Sequence, residues 1–257
     1  SVETLGSVTV ICTDKTGTLT EGVVVLEGAY DALGSPSVEV QKQGAWNAAL
    51  ETGLASALDD AILDAVAPDL SAVRKLAEIP FDFVRKRVSV VVETEGRIAL
   101  ITKGAFHQVL DVCTRSGDGA VLDIAARSRL EERYEAWSVQ GIRVLAVASR
   151  TLEPALSYSR ESEQELTFAG FLTFFDRPKA DVADAIRNLA MLGVSIKIIT
   201  GDCKPVTQHL AALVGLRADR VLTGTDLQRL SDEALWRAAE STDLFVEVDP
   251  NQKERII

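Results

Sequence analysis

The apolar positions of this chain follow one pattern near its two ends and another in its middle. Residues 8–13 form a short β-branched run without alternation, which predicts a strand buried on both faces of a parallel sheet and ending at Asp14. From about residue 176 onward, apolar residues at helical spacing alternate with further short apolar runs. Helices and buried strands in alternation predict a doubly wound parallel sheet.

The elements predicted for this second segment are three helices and three strands. The helices cover residues 182–192, with Gly193 as a C-terminal stop, then residues 206–214 and 227–239. The strands cover residues 194–199, 220–222 and 244–248.

The middle of the chain is different in kind. We predict Ala- and Leu-rich helix over residues 46–67, a hairpin of strands 88–92 and 97–102, a helix over 124–140 ended by Gly141, and strands 143–148 and 166–174. Hairpins among helices predict a separate α+β unit with antiparallel pairing. The simplest division is one α/β domain, residues 1–23 and 175–257, interrupted by an inserted domain of residues 24–174.

Composition and charge narrow the class of protein. The chain has 257 residues, 47% of them hydrophobic and 25% charged, which fits a globular protein of one large or two ordinary domains. Its net charge of -11 disfavours nonspecific binding to nucleic acid or anionic lipid. Any binding of phosphate therefore needs a local basic site.

The cysteines and the apolar runs indicate the cellular compartment of the chain. The three cysteines are far apart and form no C-x-x-C pair, so we expect neither a disulfide framework nor a zinc site, and we expect a reducing cytoplasm. The longest obvious apolar run, residues 168–175, falls short of the roughly 18 residues that a membrane span needs, and no secretory leader is visible. The abrupt ends of the sequence are typical of a soluble piece of a longer protein.

Residues 14–20, Asp-Lys-Thr-Gly-Thr-Leu-Thr, are the strongest chemical signal in the sequence. They follow the first strand at its carboxyl end, where open α/β sheets bind ligands. The Asp14 carboxylate could attack phosphorus, because an acyl phosphate divides one difficult transfer into two easier ones. Gly17 allows a tight turn, and Thr16 and Thr18 supply hydroxyls. A capping turn would explain a bare D-x-T, but it does not explain all seven residues.

This heptapeptide matches the phosphorylation motif of the P-type cation-transporting ATPases, which belong to the haloacid dehalogenase-like superfamily. The chain resembles that family over essentially its whole length. The resemblance implies a Rossmann-like phosphorylation domain with an inserted nucleotide-binding domain, ATP as substrate, and an aspartyl-phosphate at Asp14 coupled to cation transport. It also implies catalytic roles for Lys15 and Thr16, and Mg²⁺ bound by Asp14 and the Thr16 carbonyl.

Two further motifs resemble the family's catalytic groups. Thr200-Gly201-Asp202 follows the predicted strand 194–199 and is similar to the T-G-D motif, which implies Thr200 on the phosphoryl oxygens and Asp202 supporting the nucleotide or its metal. Lys253, in Pro-Asn-Gln-Lys, is similar to the lysine that neutralises phosphoryl charge. Taken alone, a strand-end turn and a solvated lysine would explain them.

The inserted domain carries motifs similar to the family's ATP pocket. Lys103 and Gly104, in Lys-Gly-Ala, end a strand and open a helix, and they resemble the K-G-A motif. Phe81 corresponds to the aromatic residue that stacks on adenine; Phe83 is its competitor, and either phenylalanine alone would be assigned to a core. Arg143 resembles an arginine that reaches the phosphates.

Three assignments are looser. Asp59 resembles an acidic residue near the adenine amino group, although Asp60 is adjacent. Residues 176–179, Asp-Arg-Pro-Lys, stand where the family has D-P-P-R, so we expect the interdomain hinge there and assign Asp176 to the nucleotide site; a proline that begins a helix is the alternative. Residues 85–87, Arg-Lys-Arg, are the densest basic run, and we expect a solvated strand end.

The competing class is a soluble haloacid dehalogenase-like phosphatase. Such enzymes usually carry a second Asp two residues after the nucleophile, where this chain has Thr16. A nucleotide-binding regulatory module is a third class, disfavoured by the intact motif. Residues 80–92 look more like magnesium-transporting than calcium-transporting members. The resemblance implies further partners, namely membrane helices and an actuator domain, and a place on the cytoplasmic side of a membrane. The family's G-D-G-x-N-D motif is expected after Lys253 and is absent from this sequence, so we expect the chain to bind ATP at modest affinity but to phosphorylate itself poorly.

Overall fold

The chain folds into two units, which the computed structural model describes over residues 8–53 and 56–257. The parallel-sheet unit comprises the chain up to Val23 together with Ser138–Ile142 and Asp176–Ile257. The antiparallel-sheet unit comprises Val24–Trp137 and Arg143–Phe175. In sequence, the second unit interrupts the first.

The elements are numbered in chain order. The strands are β1 (Val10–Thr13), β2 (Thr20–Asp31), β3 (Arg74–Ile79), β4 (Arg87–Thr94), β5 (Arg97–Ala105), β6 (Cys113–Ser116), β7 (Arg143–Leu152), β8 (Leu166–Pro178), β9 (Ser195–Ile199), β10 (Val221–Thr223) and β11 (Leu244–Val246). The helices are α1 (Val38–Leu50), α2 (Ala57–Ala65), α3 (Phe106–Leu110), α4 (Ile124–Ser138), α5 (Val182–Met191), α6 (Lys204–Leu213), α7 (Gly224–Arg229), α8 (Asp232–Ser241) and α9 (Pro250–Ile256).

The first unit is built on a parallel sheet of strand order β1-β9-β11-β10. Neighbouring residues of one strand enter different cores: Ile198 packs with α5 and α6, whereas Ile199 packs with α7 and α8. Because successive side chains of a strand point to opposite faces, helices cover both faces of this sheet. The doubly wound parallel sheet is therefore confirmed.

Strand β1 differs from its prediction in burial. It lies at one end of the strand order and pairs with β9, and Val10 is 44% exposed. A β-branched run is compatible with an edge strand as well as with a central one, because the sequence pattern reports the side chains and not the number of neighbouring strands. The prediction of a strand buried on both faces is wrong for β1.

The second unit is built on a sheet of strand order β2-β8-β7-β5-β4-β3, with β6 paired to β8. The pairings of β3 with β4, β4 with β5, β5 with β7 and β7 with β8 are antiparallel, and β6 runs parallel to β8. The predicted β4–β5 hairpin is confirmed: Thr94 is opposite Arg97, and Glu95 and Gly96 form the turn with φ of 49° and 73°. An α+β unit thus interrupts an α/β unit, which confirms the predicted fold class.

Two predicted helices are each interrupted by a serine. The helix over residues 46–67 is instead α1 and α2, and the Ser56 side chain accepts a hydrogen bond from Leu58 N at the start of α2; residues 54 and 55 lie outside the described part of the chain. The helix over residues 227–239 is instead α7 and α8, and the Ser231 side chain accepts from Ala234 N. An N-cap hydroxyl satisfies a free N–H and so favours a new helix start.

Other predicted features have mixed outcomes. Gly141 and Gly193 follow α4 and α5 closely with φ of 80° and 78°, as a helix stop requires. Burial raises the pKa of the Cys113 thiol to about 12, so this residue behaves as a small apolar one, whereas Cys12 is exposed. Within the described residues, no helix combines the length and the apolar character that a membrane crossing demands.

Candidate functional site

The heptapeptide forms a tight turn at the carboxyl end of β1. Asp14 is in an extended conformation, and its Oδ1 accepts a hydrogen bond from Lys15 N at 2.7 Å. Gly17 has a φ of 76° and donates its N–H to Thr20 Oγ1 at 3.2 Å. The positive φ is the conformation that a glycine adopts at low cost.

An exposed ion pair involves the carboxylate of Asp14. Lys253 Nζ lies 2.5 Å from Asp14 Oδ2, although the two residues are 239 positions apart in sequence. Lys253 lies in α9, whose first turn is fixed by Asp249 and Gln252 in a reciprocal capping box. Solvent therefore reaches both the candidate nucleophile and a cation in contact with it.

A second ion cluster in this unit is buried. Lys15 Nζ lies 2.6 Å from Asp202 Oδ2 and 3.6 Å from Asp176 Oδ2. Thr20 Oγ1 donates to the same Asp176 oxygen at 2.7 Å. The structure thus brings three of the predicted site residues together, and it places Asp176 beside Lys15 in the parallel-sheet unit.

The carboxyl end of β9 contributes Thr200 and Asp202. Because Thr13 of β1 is opposite Ile198 of β9, Thr200 lies at the same sheet edge as Asp14. Thr200 is buried and its Oγ1 accepts from Asp202 N at 3.2 Å, whereas Thr16 is exposed.

The segment at residues 176–179 is tied to the same turn. Lys179 Nζ donates to the Gly17 carbonyl at 3.0 Å, and Lys179 N donates to the Leu19 carbonyl at 3.0 Å. Pro178 is the last residue of β8, and α5 begins at Val182. The alternative in which Pro178 begins a helix is therefore wrong.

In the antiparallel-sheet unit, the predicted nucleotide residues gather at one end of the sheet. Arg87 at the start of β4 is opposite Gly104, and Ala105 is opposite Leu145 near the start of β7. The loop with Phe81, the end of β5 with Lys103, and half-buried Arg143 consequently share this end.

Lys103 is buried among carboxylates at this end. Its Nζ pairs with Asp59 Oδ1 and lies 3.4 Å from Glu51 Oε2. Of the two adjacent aspartates, Asp59 makes this contact, and Asp60 is exposed. Burial raises the pKa of Glu51 even though the Lys103 cation acts to lower it. Nothing in the sequence singled out Glu51, because its role depends on how α1 packs near β5.

The two phenylalanines of the loop are surface residues. Phe81 is 46% exposed and Phe83 is 54% exposed, and their rings meet edge to face with centroids 5.5 Å apart. Assignment of either residue to the core is therefore wrong. An exposed aromatic pair is a suitable surface for stacking a planar ligand.

Gly104 allows two segments of this end to approach closely. A Cβ at position 104 would lie 2.5 Å from the Lys86 carbonyl oxygen and 2.5 Å from Arg87 Cβ. Ala105 N donates to that same carbonyl at 2.9 Å. The glycine is required here by protein packing, whatever else approaches it.

The basic run at residues 85–87 is largely not solvated. Arg85 Nη1 and Arg87 Nε lie 2.5 Å and 2.9 Å from Glu163 Oε2, and the Glu163 side chain is fully buried. The prediction of a solvated strand end is wrong for both arginines. Sequence reasoning missed Glu163, because Glu161 and Glu165 flank it with no pattern to separate the three.

The comparisons with known proteins agree with this combination of a parallel-sheet unit, a motif turn and an inserted antiparallel unit. The family model described as P-type ATPase, cytoplasmic domain N, matches residues 29–181. This match covers more than half of the chain, and the chain belongs to the P-type ATPase family.

Curated relatives cover the whole chain. The chain is 39% identical over 270 residues to "Magnesium-transporting ATPase, P-type 1" of Salmonella typhimurium. It is 37% identical over 268 residues to the protein of that name in Escherichia coli. It is 29% identical over 284 residues to "Calcium-transporting ATPase 1" of Bacillus cereus. All of this chain aligns in each case, but it spans only 30% to 32% of these relatives.

Proposed function

We propose that this chain is the ATP-binding and autophosphorylated part of a P-type ATPase, in which an aspartyl-phosphate at Asp14 couples ATP hydrolysis to cation transport. Residues 1–23 and 175–257 form the phosphorylation domain, and residues 24–174 form the nucleotide-binding domain. The observation that carries the proposal is the exposed Asp14 carboxylate at the end of β1, in contact with Lys253, in a member of this family.

The phosphoryl transfer follows from the chemistry of this turn. An oxygen of Asp14 attacks the γ-phosphorus of ATP, the bond from that phosphorus to the bridging oxygen breaks, and ADP leaves with the bonding electron pair. Lys253 offsets the negative charge on the transferring group. The exposed Thr16 hydroxyl is available to the phosphoryl oxygens, and Lys15 keeps Asp202 and Asp176 in place.

Mg²⁺ fits the donor atoms at this edge. The Asp14 carboxylate and the Thr16 carbonyl are hard oxygen ligands of the kind that Mg²⁺ prefers. Within the described residues, no group of three or more His, Cys, Asp or Glu side chains could hold a metal, and Mg²⁺ sites commonly use one or two carboxylates together with substrate phosphates. When bound, the ion would neutralise charge on the phosphates.

The nucleotide is held by the inserted domain in this proposal. Phe81 stacks on adenine, Asp59 lies near its amino group, and Arg143 reaches the phosphates. Lys103 and Gly104 line the ATP pocket on the side of Asp59. Because Lys103 is paired with Asp59 and Glu51, the nucleotide must compete with carboxylates for this cation. Modest affinity for ATP is the consequence.

The transported ion is proposed to be magnesium. The sequence of residues 80–92 and the names of the relatives from Salmonella typhimurium and Escherichia coli support this choice. The remaining partners are the membrane helices and actuator domain of a longer protein, with the present chain on the cytoplasmic side of the membrane.

The phosphoacceptor can be tested in the product of the complete gene. We expect radiolabelled ATP to give an acid-stable, hydroxylamine-sensitive phosphoenzyme that Asp14→Asn abolishes. Asp181→Asn is the matched control, because Asp181 is an exposed aspartate whose side chain makes no cap hydrogen bond. A phosphoenzyme that persists in Asp14→Asn would refute the assignment.

Nucleotide binding can be tested with this chain by titration calorimetry. We expect ATP to bind, and both Phe81→Ala and Lys103→Ala to weaken it about tenfold or more, the equivalent of one stacking or charged contact. Val84→Ala, at a neighbouring exposed position, should leave affinity unchanged. The proposal is refuted if ATP gives no heat of binding, or if all four proteins bind it equally well.

A further inference from the structure

The loop that carries both exposed phenylalanines is braced from within by one arginine. We call residues 80–86 the aromatic loop. Arg85 Nη2 donates to the Pro80 carbonyl at 2.6 Å, and Arg85 Nε donates to Asp82 Oδ2 at 2.5 Å. Arg85 N donates to Asp82 Oδ1 at 2.7 Å. One side chain therefore links the two ends of the loop across Phe81 and Phe83.

Glu163 anchors this arginine to the sheet. Its Oε2 accepts from Arg85 Nη1 at 2.5 Å and from Arg87 Nε at 2.9 Å. Its Oε1 accepts a hydrogen bond at 2.7 Å from Ser89 Oγ, near the start of β4. The buried carboxylate thus connects the aromatic loop to the strand that follows it.

The charges of this cluster support a strong attachment. Burial alone would lower the pKa of Arg85, but hydrogen bonds to Glu163 and Asp82 outweigh burial and raise it. Charge-assisted hydrogen bonds from guanidinium to carboxylate are about twice as strong as neutral ones. If Glu163 loses its charge, Arg85 and Arg87 lose a shared buried anion. The ion pair that fixes the Arg85 side chain beside the loop is then weakened.

We propose that Glu163 is a positioning residue for the nucleotide base: through Arg85 it holds the aromatic loop in the conformation that presents Phe81 for stacking. The inference rests on the proposed function, in which Phe81 contacts adenine. A loop already ordered before binding loses less conformational freedom when the ligand arrives, and affinity rises accordingly. Glu163 acts indirectly, since its side chain is fully buried.

A double-mutant cycle with ATP distinguishes positioning from a general structural role. We expect Glu163→Gln to weaken ATP binding about fivefold to tenfold in the wild-type background. In the Phe81→Ala background the same change should have almost no further effect, because the contact that Glu163 positions is already gone. Titration calorimetry gives the affinities, and thermal melting verifies that each variant is folded.

Two further variants complete the experiment. Glu165→Gln is the matched control, because Glu165 is exposed and pairs with Arg150 elsewhere. Arg85→Lys keeps the charge but replaces the planar fork, and a single ammonium cannot reproduce the three contacts. Should Glu163→Gln not fold, Arg85→Lys carries the same cycle with the same expectation.

The outcomes separate the inference from the function on which it rests. If Phe81→Ala weakens ATP binding while Glu163→Gln and Arg85→Lys leave it unchanged, the positioning role is overturned and the base contact stands. Equal losses from Glu163→Gln with and without Phe81 would also overturn it, because the effect would not pass through that ring. If Phe81→Ala has no effect, the proposed base contact itself fails.

Discussion

The two units each bury a motif lysine between two carboxylates, and they differ in how far those carboxylates are removed from water. Lys15 contacts Asp176 and Asp202, whose side chains are 8% and 4% exposed. Lys103 contacts Asp59 and Glu51, whose side chains are 12% and 11% exposed. The carboxylates around Lys15 are thus the more completely removed from water.

The two units also differ in which cation is accessible to an anionic ligand. In the parallel-sheet unit, Lys15 is enclosed while Lys253 meets solvent beside Asp14, so an arriving phosphate can reach a cation without breaking the buried cluster. In the antiparallel-sheet unit, the motif lysine itself is paired, and any anion must share it with Asp59 and Glu51. Lys15 and Lys103 are about equally buried, so the two units differ in the exposed cation, Lys253, that the parallel-sheet unit adds beside Asp14.

The largest expected effect is that of Lys15→Met on stability. Removing this cation leaves two buried carboxylates without their partner, which costs about 3–5 kcal/mol. Urea unfolding followed by the fluorescence of Trp236, which lies in α8 of the same unit, measures it. Lys204→Met, at an exposed position, is the control. A loss below about 1 kcal/mol would mean that the cluster is hydrated in solution.

Lys103→Met should cost less, about 1–3 kcal/mol. Its partner carboxylates lie nearer to water, and Glu51, whose pKa is already raised, can accept a proton. Unfolding followed through Trp46 in α1 measures the loss, with Asp60→Asn as the exposed control. If Lys103→Met is more destabilising than Lys15→Met, the conclusion that the cluster around Lys15 is the more completely buried one is wrong.

Lys253→Met should change stability by less than about 1 kcal/mol, because the pair with Asp14 is exposed. Phosphoenzyme formation in the complete protein should nevertheless fall about a hundredfold, since in the proposed function this cation offsets charge on the transferring group. The two measurements are urea unfolding of this chain and acid-quenched phosphorylation. If Lys253→Met unfolds at a clearly lower urea concentration but forms phosphoenzyme normally, Lys253 has the structural role that we assign to Lys15.

The smallest expected effect concerns pH. The folded-state pKa of Glu51 is raised above its ordinary value of 4.5 by burial, so its contribution to stability is complete below pH 4.5 and is lost as pH rises through the raised value. Glu51→Gln has no such proton to lose. Between pH 4 and pH 7 its Tm should therefore fall less, or rise more, than that of the wild type. Parallel pH profiles would argue against a buried, protonatable Glu51.

Much of the fold could be predicted from local patterns. The helical stop at Gly193, the β4–β5 hairpin and the alternation after residue 176 all depend on residues close in sequence. The breaks at Ser56 and Ser231 were missed, because an apolar helical pattern continues through a serine that caps a new helix. The exposure of β1 was missed as well, because it depends on the strand order of the whole sheet.

The candidate site shows the same boundary between local and long-range information. The turn at residues 14–20 and its place at a strand end follow from the motif and the strand before it. The enclosure of Lys15 and the anchoring role of Glu163 depend on partners 187 and 78 residues away in sequence, and the charges of these residues alone do not identify those partners. Long-range ion pairs were accordingly the part of the site that the sequence could not supply.

The close approach at Gly104 has a consequence for protein engineering. The missing side chain lets Lys103–Ala105 lie directly against Lys86 and Arg87, which continue from the aromatic loop. Residues 80–87 and residues 103–105 are therefore two segments that must fit each other. A chimaera that exchanges residues 80–87 must therefore keep glycine at position 104, because a Cβ there would lie 2.5 Å from the Lys86 carbonyl oxygen.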